Sequence, residues 1–287
     1  GIRDLVRSRG LGDVYKRHLV IRAPGPLLWP EKYTPDYCAR IERTDKRAYQ
    51  ADVLGRYIDP EESLFATEDI LGCTDPGVMK REPRLDEHGN LAVAYVAAMD
   101  PATRGNAWTL IVLACIGEDE LGEKYEVALA AQWQGTPQEP LKPSAVLAEI
   151  RDLCAPYGVS DAISDQASFD ALADIGDRVG FGLTGLFGSE DSHEKDCEAL
   201  RPLISNRRIR LLDNAQLRND LQRVAKRVTS NGYSYQYPTS GDGRHCDFVP
   251  ALGKAIRYCP GPTTKVPEQL HPRADRSNSA RALVSRF

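Results

Sequence analysis

Apolar residues form three successive runs in the middle of the chain, at residues 91–99, 108–117 and 125–133. Apolar runs of this length, bounded by turn residues, are typical of strands that are buried on both faces. Periodicity alone leaves a buried helix open, but the connections are short enough to join neighbouring antiparallel strands. The pattern therefore predicts a three-stranded antiparallel meander.

Helical and strand-like patterns alternate after the meander. Residues 142–157 carry Pro143 in the first turn and apolar side chains on one face, which predicts a helix. The further predicted elements are a strand at 161–165, a helix at 168–179, a strand at 182–187, a helix at 191–204, a strand at 209–212, a helix at 215–226, a hairpin at 228–237 and a helix at 245–258. The hairpin rests on Asn231-Gly232, a strong signal for a tight turn. This order predicts one α/β domain over residues 91–258, with a mixed sheet and helices on both faces.

The segments on either side of this domain are less regular. Residues 18–23 have the composition of a single strand, and residues 72–90 are charged and contain Pro and Gly, as surface loops and linkers do. We therefore interpret residues 1–90 as the trailing part of a preceding domain and a linker. Residues 259–287 are rich in Pro, Arg and Ser, which predicts a flexible basic tail.

Charge is distributed unevenly along the 287 residues. The net charge of −4 by itself argues against a nucleic-acid partner, but the residues from 201 onward hold 16 Lys and Arg against 6 Asp and Glu. This asymmetry favours a polyanionic partner for the basic part, with a solvated basic face as the alternative. No run approaches the ~20 apolar residues of a membrane helix, and the first residues lack the apolar core of a signal peptide. Seven scattered cysteines without a Cys-x-x-Cys pair indicate reduced thiols in a cytosolic setting.

Three carboxylates stand at the ends of predicted elements. Asp100 ends the first strand, Asp165 ends the strand at 161–165, and Asp247 opens the last helix. If the two strands lie side by side and parallel, their ends are ~4.8 Å apart, and a helix crossing the same edge brings in the third acid. Carboxylates this close repel one another, and divalent cations relieve the repulsion. Because two such ions ~3.5–4 Å apart cleave phosphodiesters by in-line displacement, the pattern predicts a two-metal nuclease site.

Each acid also has a purely structural interpretation. Asp100 can cap the turn through Pro101, Asp165 can begin a helix, and Asp247 can be a first-turn acid favoured by the helix dipole. Asp242, which lies between two glycines, is the rival for the third metal-binding position. The order strand, strand, helix favours the catalytic interpretation of the three acids together.

Short motifs surround these acids. They are Met99-Asp100-Pro101-Ala102, Ile163-Ser164-Asp165 and His245-x-Asp247-x-x-x-Ala251, with Leu28-Trp29-Pro30-Glu31-Lys32-Tyr33 and Glu62-Ser63-Leu64-Phe65 upstream. In these motifs the sequence resembles the nuclease domain of the large terminase subunit, the DNA-packaging motor protein of tailed bacteriophages, and the resemblance covers roughly residues 25–258. That domain belongs to the ribonuclease H-like superfamily. One departure is Cys246, because the family usually has a second acid beside the one at Asp247.

The resemblance implies a metal-dependent endonuclease that cuts double-stranded DNA with little sequence preference, using two Mg²⁺ or Mn²⁺ ions held by Asp100, Asp165 and Asp247. It implies that viral genomes are cut in the host cytoplasm, during transient docking on the procapsid. The implied partners are a small terminase subunit, the portal protein and the ATPase domain of the same full-length protein, with no membrane partner. The sequence contains no Gly-x-x-x-x-Gly-Lys-Ser/Thr phosphate loop, which agrees with residues 1–90 being only the trailing edge of an ATPase.

Basic residues and histidines near the acids are candidates for DNA contacts. Arg104 follows Asp100 closely enough to contact a scissile phosphate, and His245 is a candidate acid, base or supporting residue of the metal site. The other candidates for phosphate contacts are Arg207, Arg208, Arg210, Arg223, Lys226, Arg227 and Arg244. Solvated surface charge is the alternative for each basic residue, and a structural role at the start of the last helix is the alternative for His245. The residues expected to pack or to lie on the surface are Tyr233, Tyr235, Tyr237 and His193.

Three other functions are compatible with parts of the pattern. A resolvase- or transposase-like nuclease of the same superfamily would use the same acids, although the upstream motifs disfavour it. Asp100 followed by Thr103 and Gly105 weakly resembles the phosphate loop of sugar-kinase and actin-like ATPases, but residues 91–258 are too few for their duplicated domain. A catalytically silent module that docks DNA or portal is favoured only if the three acids bind no metal.

Overall fold

The structure is a computed structural model that describes residues 23–44, 49–55, 63–165, 169–186, 192–229, 232–238 and 245–262. Its helices are α1 (Gly25–Leu28), α2 (Pro35–Thr44), α3 (Thr67–Cys73), α4 (Pro143–Cys154), α5 (Phe169–Val179), α6 (His193–Ser205), α7 (Ala215–Arg223) and α8 (Phe248–Arg257), with a π-helical turn at Tyr49–Val53 and a 3-10 turn at Ala155–Tyr157. Its strands are β1 (Tyr95–Asp100), β2 (Ala107–Asp119), β3 (Gly122–Gln134), β4 (Asp161–Ser164), β5 (Gly182–Gly185), β6 (Ile209–Arg210), β7 (Ala225–Thr229) and β8 (Gly232–Gln236).

Six of these strands form one mixed sheet, in the order β5-β4-β1-β2-β3-β6. β1 pairs antiparallel with β2, and β2 with β3, whereas β4 lies parallel to β1, β5 to β4 and β6 to β3. The predicted meander extended by parallel strands is therefore confirmed. β7 and β8 form a separate antiparallel hairpin, as the Asn231-Gly232 pair predicted.

Helices cover both faces of the sheet. The central strand β2 is therefore buried from Ala107 to Cys115. Alternate residues of a strand face opposite sides of the sheet. Leu110 and Val112 accordingly point into a core formed with α4 and α5, whereas Ile111 points into a core formed with α6, α7 and α8. Full burial of one such side chain stabilises the fold by ~1.5–3 kcal/mol, so a charged residue at any of these positions would disrupt one face.

Helix α8 is buried along its length and connects the sheet to the neighbouring helices. The residues from Phe248 to Ile256 are all buried, as is typical of a helix that is covered on every side. The helix packs against β1, β2 and α6. It therefore lies on one face of the sheet with its first turn at the edge where β1 ends.

Several predicted boundaries differ from the observed ones, and two of them show the physical reason. The first strand begins at Tyr95 rather than at residue 91, because Leu91 forms an isolated bridge with Leu85 and belongs to the preceding turn. The helix predicted to reach residue 226 ends at Arg223, since Ala225 already pairs with β8. Both differences arise from pairing with other parts of the chain, which local sequence patterns do not contain.

The core extends upstream of the boundary predicted at residue 91. Leu64 and Phe65 are buried in it, and the backbone N–H of Leu64 donates to the carbonyl of Val224. Part of the loop predicted at 72–90 is held against the sheet, because Arg84 binds the buried carboxylate of Glu126. The predicted strand at 18–23 and the tail predicted from residue 259 fall largely outside the described residues.

The cysteines are all within the described part of the chain, and each has a free thiol. Burial raises the pKa of the Cys154 and Cys197 thiols to about 12. These two thiols therefore stay protonated at neutral pH. No helix in the described part of the chain is long and apolar enough to cross a membrane.

Candidate metal centre

Asp100 and Asp165 lie at equivalent positions on adjacent parallel strands. Ala98 of β1 pairs with Ile163 of β4. Asp100 follows Ala98 by two positions, and Asp165 follows Ile163 by two positions. Two residues along a strand return to the same face of the sheet, so both carboxylates lie on the α8 face. The parallel arrangement assumed in the sequence analysis therefore brings these two acids together.

The two carboxyl groups interact directly. Burial raises the pKa of Asp100 above its ordinary value of 3.8; the nearby acids Asp165 and Asp247 raise it further, and so does a hydrogen bond with the side chain of Asp165. The ammonium of Lys254 opposes this rise. Such a pair retains a proton or attracts a cation, because two adjacent, partly buried carboxylates do not both ionise readily. It is the behaviour expected of a cation-binding pair.

Asp247 is buried beside this pair and is bound to the first residues of β2. Its carboxylate Oδ2 accepts a hydrogen bond from the backbone N–H of Ala107 at 3.0 Å, and its carbonyl accepts one from Thr109 Oγ1 at 2.8 Å. Thr109 pairs directly with Asp100 across the β1–β2 ladder. Asp247 precedes the first helical residue, Phe248, and makes no side-chain cap, so it is not the first-turn acid of a helix that was predicted to begin at residue 245.

The three acids line a common cleft of about 350 Å³. The other lining residues are Pro101, Ala102, Asn106, His193, Tyr237, His245, Cys246 and Pro250. His245 Nδ1 lies 3.2 Å from the carbonyl oxygen of Tyr237. If Nδ1 carries the proton and donates it there, Nε2 is left as the acceptor of the ring. His245 is thus placed beside the acids, as predicted, although no contact identifies it as a proton donor or acceptor in catalysis.

His193 was expected only on the surface, and the structure places it at the cleft. It is the first residue of α6 and is exposed. Its ring lies 4.8 Å from the ring of Tyr237, whose hydroxyl donates to the His193 carbonyl at 3.3 Å. Tyr235 and Tyr237 pack against the core, as predicted. Residues 193 and 237 come together only through tertiary packing, so no sequence spacing indicated the pair.

The predicted DNA-binding residues form three groups: those in the turn after Asp100 or on the β7–β8 hairpin, those that the structure does not describe, and those that contact other parts of the protein. Arg104 is exposed in the turn that follows Asp100, and that turn contributes Asn106 to the cleft. Lys226 lies on β7, opposite Tyr235 in the hairpin. The structure does not describe Asp242, Arg244 or the side chain of Arg227, and the partly buried Arg223 donates to the carbonyl of Pro238.

Arg207, Arg208 and Arg210 do not line the cleft, and each contacts other parts of the protein. Arg208 is buried, and it binds Asp119 and the carbonyl of Glu123. Arg210 binds Glu126 and Asp75, and Arg207 lies against Gly72. Glu126 pairs with Ala114 of β2, which in turn pairs with Tyr95, the first residue of β1. Tyr95 and Asp100 lie at opposite ends of β1, so Glu126 is ~17 Å from Asp100 along the strand direction.

The donor set suits a hard divalent cation, although the third acid is engaged elsewhere. Asp100 and Asp165 supply carboxylate oxygens, which Mg²⁺ and Mn²⁺ prefer. Among the described residues, no group of three His, Cys, Asp or Glu side chains is arranged as a ready metal-binding cluster. The hydrogen bond from Ala107 turns the Asp247 carboxylate toward β2. The residues therefore fit a cation held first by Asp100 and Asp165, with Asp247 lining the same cleft.

No protein-family model matches the chain, and no curated protein matches its sequence. Its structure is similar to that of the large terminase nuclease from thermophilic phage G20c with bound magnesium, with a TM-score of 0.51, 18% identity, and coverage of 69% of this chain and 98% of that chain. It is also similar to the large terminase of bacteriophage HK97, with a TM-score of 0.51, 13% identity, and coverage of 76% of this chain and 49% of that chain. Similarity at this level of identity shows a common fold. The chain therefore has the ribonuclease H-like fold of phage large terminase nuclease domains.

Proposed function

We propose that this chain is a metal-dependent endonuclease that hydrolyses phosphodiester bonds in double-stranded DNA. One observation carries the proposal: Asp100 and Asp165 lie side by side at the end of two parallel strands, and both line one cleft with Asp247. Carboxylates in this arrangement repel one another unless a proton or a cation lies between them. Clustered carboxylates in an open cleft, on a fold shared with nucleases, support a catalytic role over a structural one.

Asp100 and Asp165 would hold the proposed cations, and Asp247 would complete the site. Two bound Mg²⁺ or Mn²⁺ ions supply Lewis-acid stabilisation of the charge that develops on the attacking and leaving oxygens of a phosphodiester. The turn at 101–106 would position the scissile phosphate, because its residues line the cleft next to Asp100. The exposed guanidinium of Arg104 in that turn is available for a phosphate oxygen.

The proposed substrate contacts are sequence-independent. Arg104 and Lys226 are the described basic residues that we propose for the DNA backbone, and Arg227 and Arg244 remain proposals outside the described side chains. Contacts to phosphates orient a duplex without reading its bases. Binding through such contacts weakens steeply as salt concentration rises, so we expect cleavage to show little sequence preference and strong salt dependence.

The proposed biological role is cutting of viral genomes by a DNA-packaging terminase. The similar nuclease from phage G20c carries magnesium, and the similar HK97 chain is about twice the length of the matched part. We propose that residues 1–90 lead from an ATPase domain of a longer protein and that a small terminase subunit and a portal protein are partners. The work would then take place in the host cytoplasm, during docking on the procapsid.

The proposed activity is tested by incubating the chain with two supercoiled plasmids of unrelated sequence. We expect nicking and linearisation of both plasmids with Mg²⁺ or Mn²⁺, at similar rates, and none with EDTA. Cleavage of only one plasmid would contradict the proposed lack of sequence preference. Failure to cut either plasmid with any divalent cation would overturn the nuclease assignment and favour a docking module.

A further inference from the structure

Lys254 is a charged residue in the middle of α8, a helix that is buried along nearly its whole length. Its side chain is 1% exposed, and the residues from Phe248 to Ile256 around it in α8 are buried as well. A buried ammonium is unfavourable unless nearby negative charge offsets its loss of water. Its position therefore calls for an explanation in terms of the acids that surround it.

One of these acids is Asp196 on α6, which is also fully buried. Asp196 Oδ2 lies 3.7 Å from Lys254 Nζ, and Asp196 Oδ1 accepts a hydrogen bond from Arg257 Nη1 at 2.7 Å. α6 and α8 approach closely here because residue 253 is glycine: a Cβ at Gly253 would lie 2.3 Å from the Cβ of Asp196. The helix contact thus fixes the position of the lysine side chain.

Lys254 shares one face of α8 with residues that line the metal centre. Lys254 follows Asp247 by seven residues and Pro250 by four, so the three residues lie on one face of α8. Helical side chains lean toward the helix N-terminus, and a lysine reaches ~6 Å, about one turn, in that direction. Lys254 is therefore the next residue along this face from Pro250, which lines the cleft with Asp247.

The charge also acts on the acid at the end of β1. The Lys254 ammonium lowers the pKa of Asp100, and it is the largest influence that opposes the rise caused by burial. Asp165 and Asp247 act in the opposite direction. One buried cation is therefore shared between Asp196 on one side and the carboxylates of the cleft on the other.

We propose that Lys254 is a built-in counter-charge of the metal centre, a positioning residue that offsets the mutual repulsion of Asp100, Asp165 and Asp247 and thereby weakens their hold on Mg²⁺. This inference rests on the proposed function, since it concerns the same three acids. A purely structural lysine would serve only Asp196 and would leave metal affinity unchanged. The two roles differ in what happens to Mg²⁺ binding when the charge is removed.

The test compares Mg²⁺ binding by isothermal titration calorimetry, in the absence of DNA, for the full chain and four variants. Lys254→Met and Lys254→Gln remove the charge, and the glutamine keeps a polar group for Asp196. Lys254→Arg retains the charge, and Arg257→Met is the matched control, because it removes the other cation bound to Asp196. Circular dichroism establishes that each variant used is folded.

We expect Lys254→Met and Lys254→Gln to bind Mg²⁺ on the order of tenfold more tightly than the wild type, because a like charge near the cation has been removed. Lys254→Arg and Arg257→Met should bind as the wild type does. Unchanged affinity in the folded Lys254 variants, or an equal rise in Arg257→Met, overturns the role of Lys254. Absence of Mg²⁺ and Mn²⁺ binding in the wild type and all variants overturns the metal centre itself.

Discussion

The carboxylate of Asp220 accepts a hydrogen bond from the backbone N–H of Phe248 at 3.1 Å and thereby caps helix α8. Asp247, which occupies the N-cap position, makes no side-chain cap of its own. Its carboxylate accepts instead from the backbone N–H of Ala107 at the start of β2. Capping by a residue of α7 thus leaves Asp247 directed toward the sheet edge where Asp100 ends β1.

This division of roles predicts the effect of changing Asp220. Asp220→Ala should lower the free energy of unfolding by ~1–3 kcal/mol, because it leaves a buried N–H without its acceptor. Asp220→Asn keeps an acceptor oxygen and should lose less. Urea denaturation measures both changes, and an Asp220→Ala protein as stable as the wild type would show that the cap is unimportant.

Arg208 and Arg104 are expected to affect different properties. Arg208→Ala should destabilise the fold by ~1.5–3 kcal/mol, since the guanidinium is buried and bonded to Asp119 and to backbone carbonyls of the β2–β3 turn. Arg104→Ala should change stability by less than ~0.5 kcal/mol, because Arg104 is exposed. Thermal unfolding measures the first effect, and DNA binding at several salt concentrations measures the second. Unchanged DNA affinity of Arg104→Ala would remove this residue from the proposed interface.

Asp213 should contribute to stability in a pH-dependent way. A hydrogen bond from the backbone N–H of Gly77 lowers the pKa of Asp213, and Arg218 lowers it further. A carboxyl whose folded pKa lies below its unfolded value stabilises the protein fully above the unfolded value, and the contribution is lost as pH falls through the folded one. Asp213→Asn should therefore reduce stability at pH 7 and flatten the loss of stability below about pH 4. Parallel stability curves for the two proteins from pH 7 to pH 2 would contradict this.

Thiol reactivity should follow burial. The pKa of the Cys154 and Cys197 thiols is raised to about 12, so little thiolate is present at pH 8. In the native protein at pH 8, we expect the partly exposed Cys38 to react with a disulfide reagent well before these two. Mass spectrometry of the labelled peptides measures the order, and labelling of Cys154 or Cys197 without unfolding would show that the core opens there.

The sequence was sufficient for the sheet and for two of the acids, because both depend on local patterns. Strand alternation determines which residues share a face, and the apolar runs ending at Asp100 and Asp165 placed both acids at strand ends. Helix α4 connects β3 to β4 and provides the crossover that a parallel strand requires, and β4 pairs parallel with β1. The orientation of Asp247 was not predictable, because it depends on Asp220 and Ala107, which are distant in sequence.

The remaining site residues depend on contacts between distant segments. His193 reaches the cleft through Tyr237, and Lys254 is held by Asp196. Arg208 looked like a surface charge because its partners lie in the β2–β3 turn, which is distant in sequence. A single lysine within the otherwise apolar run 248–256 was the one local signal that could have identified Lys254 before the structure was known.

The central claim, that Asp100 carries the chemistry, is tested most directly by plasmid cleavage with Asp100→Asn in Mg²⁺ or Mn²⁺. Asp174→Asn is the matched control, because Asp174 is exposed on α5, on the other face of the sheet. We expect Asp100→Asn to cut at least ~10²-fold more slowly than the wild type while remaining folded, and Asp174→Asn to cut at the wild-type rate. Equal cleavage by Asp100→Asn and the wild type would contradict the account.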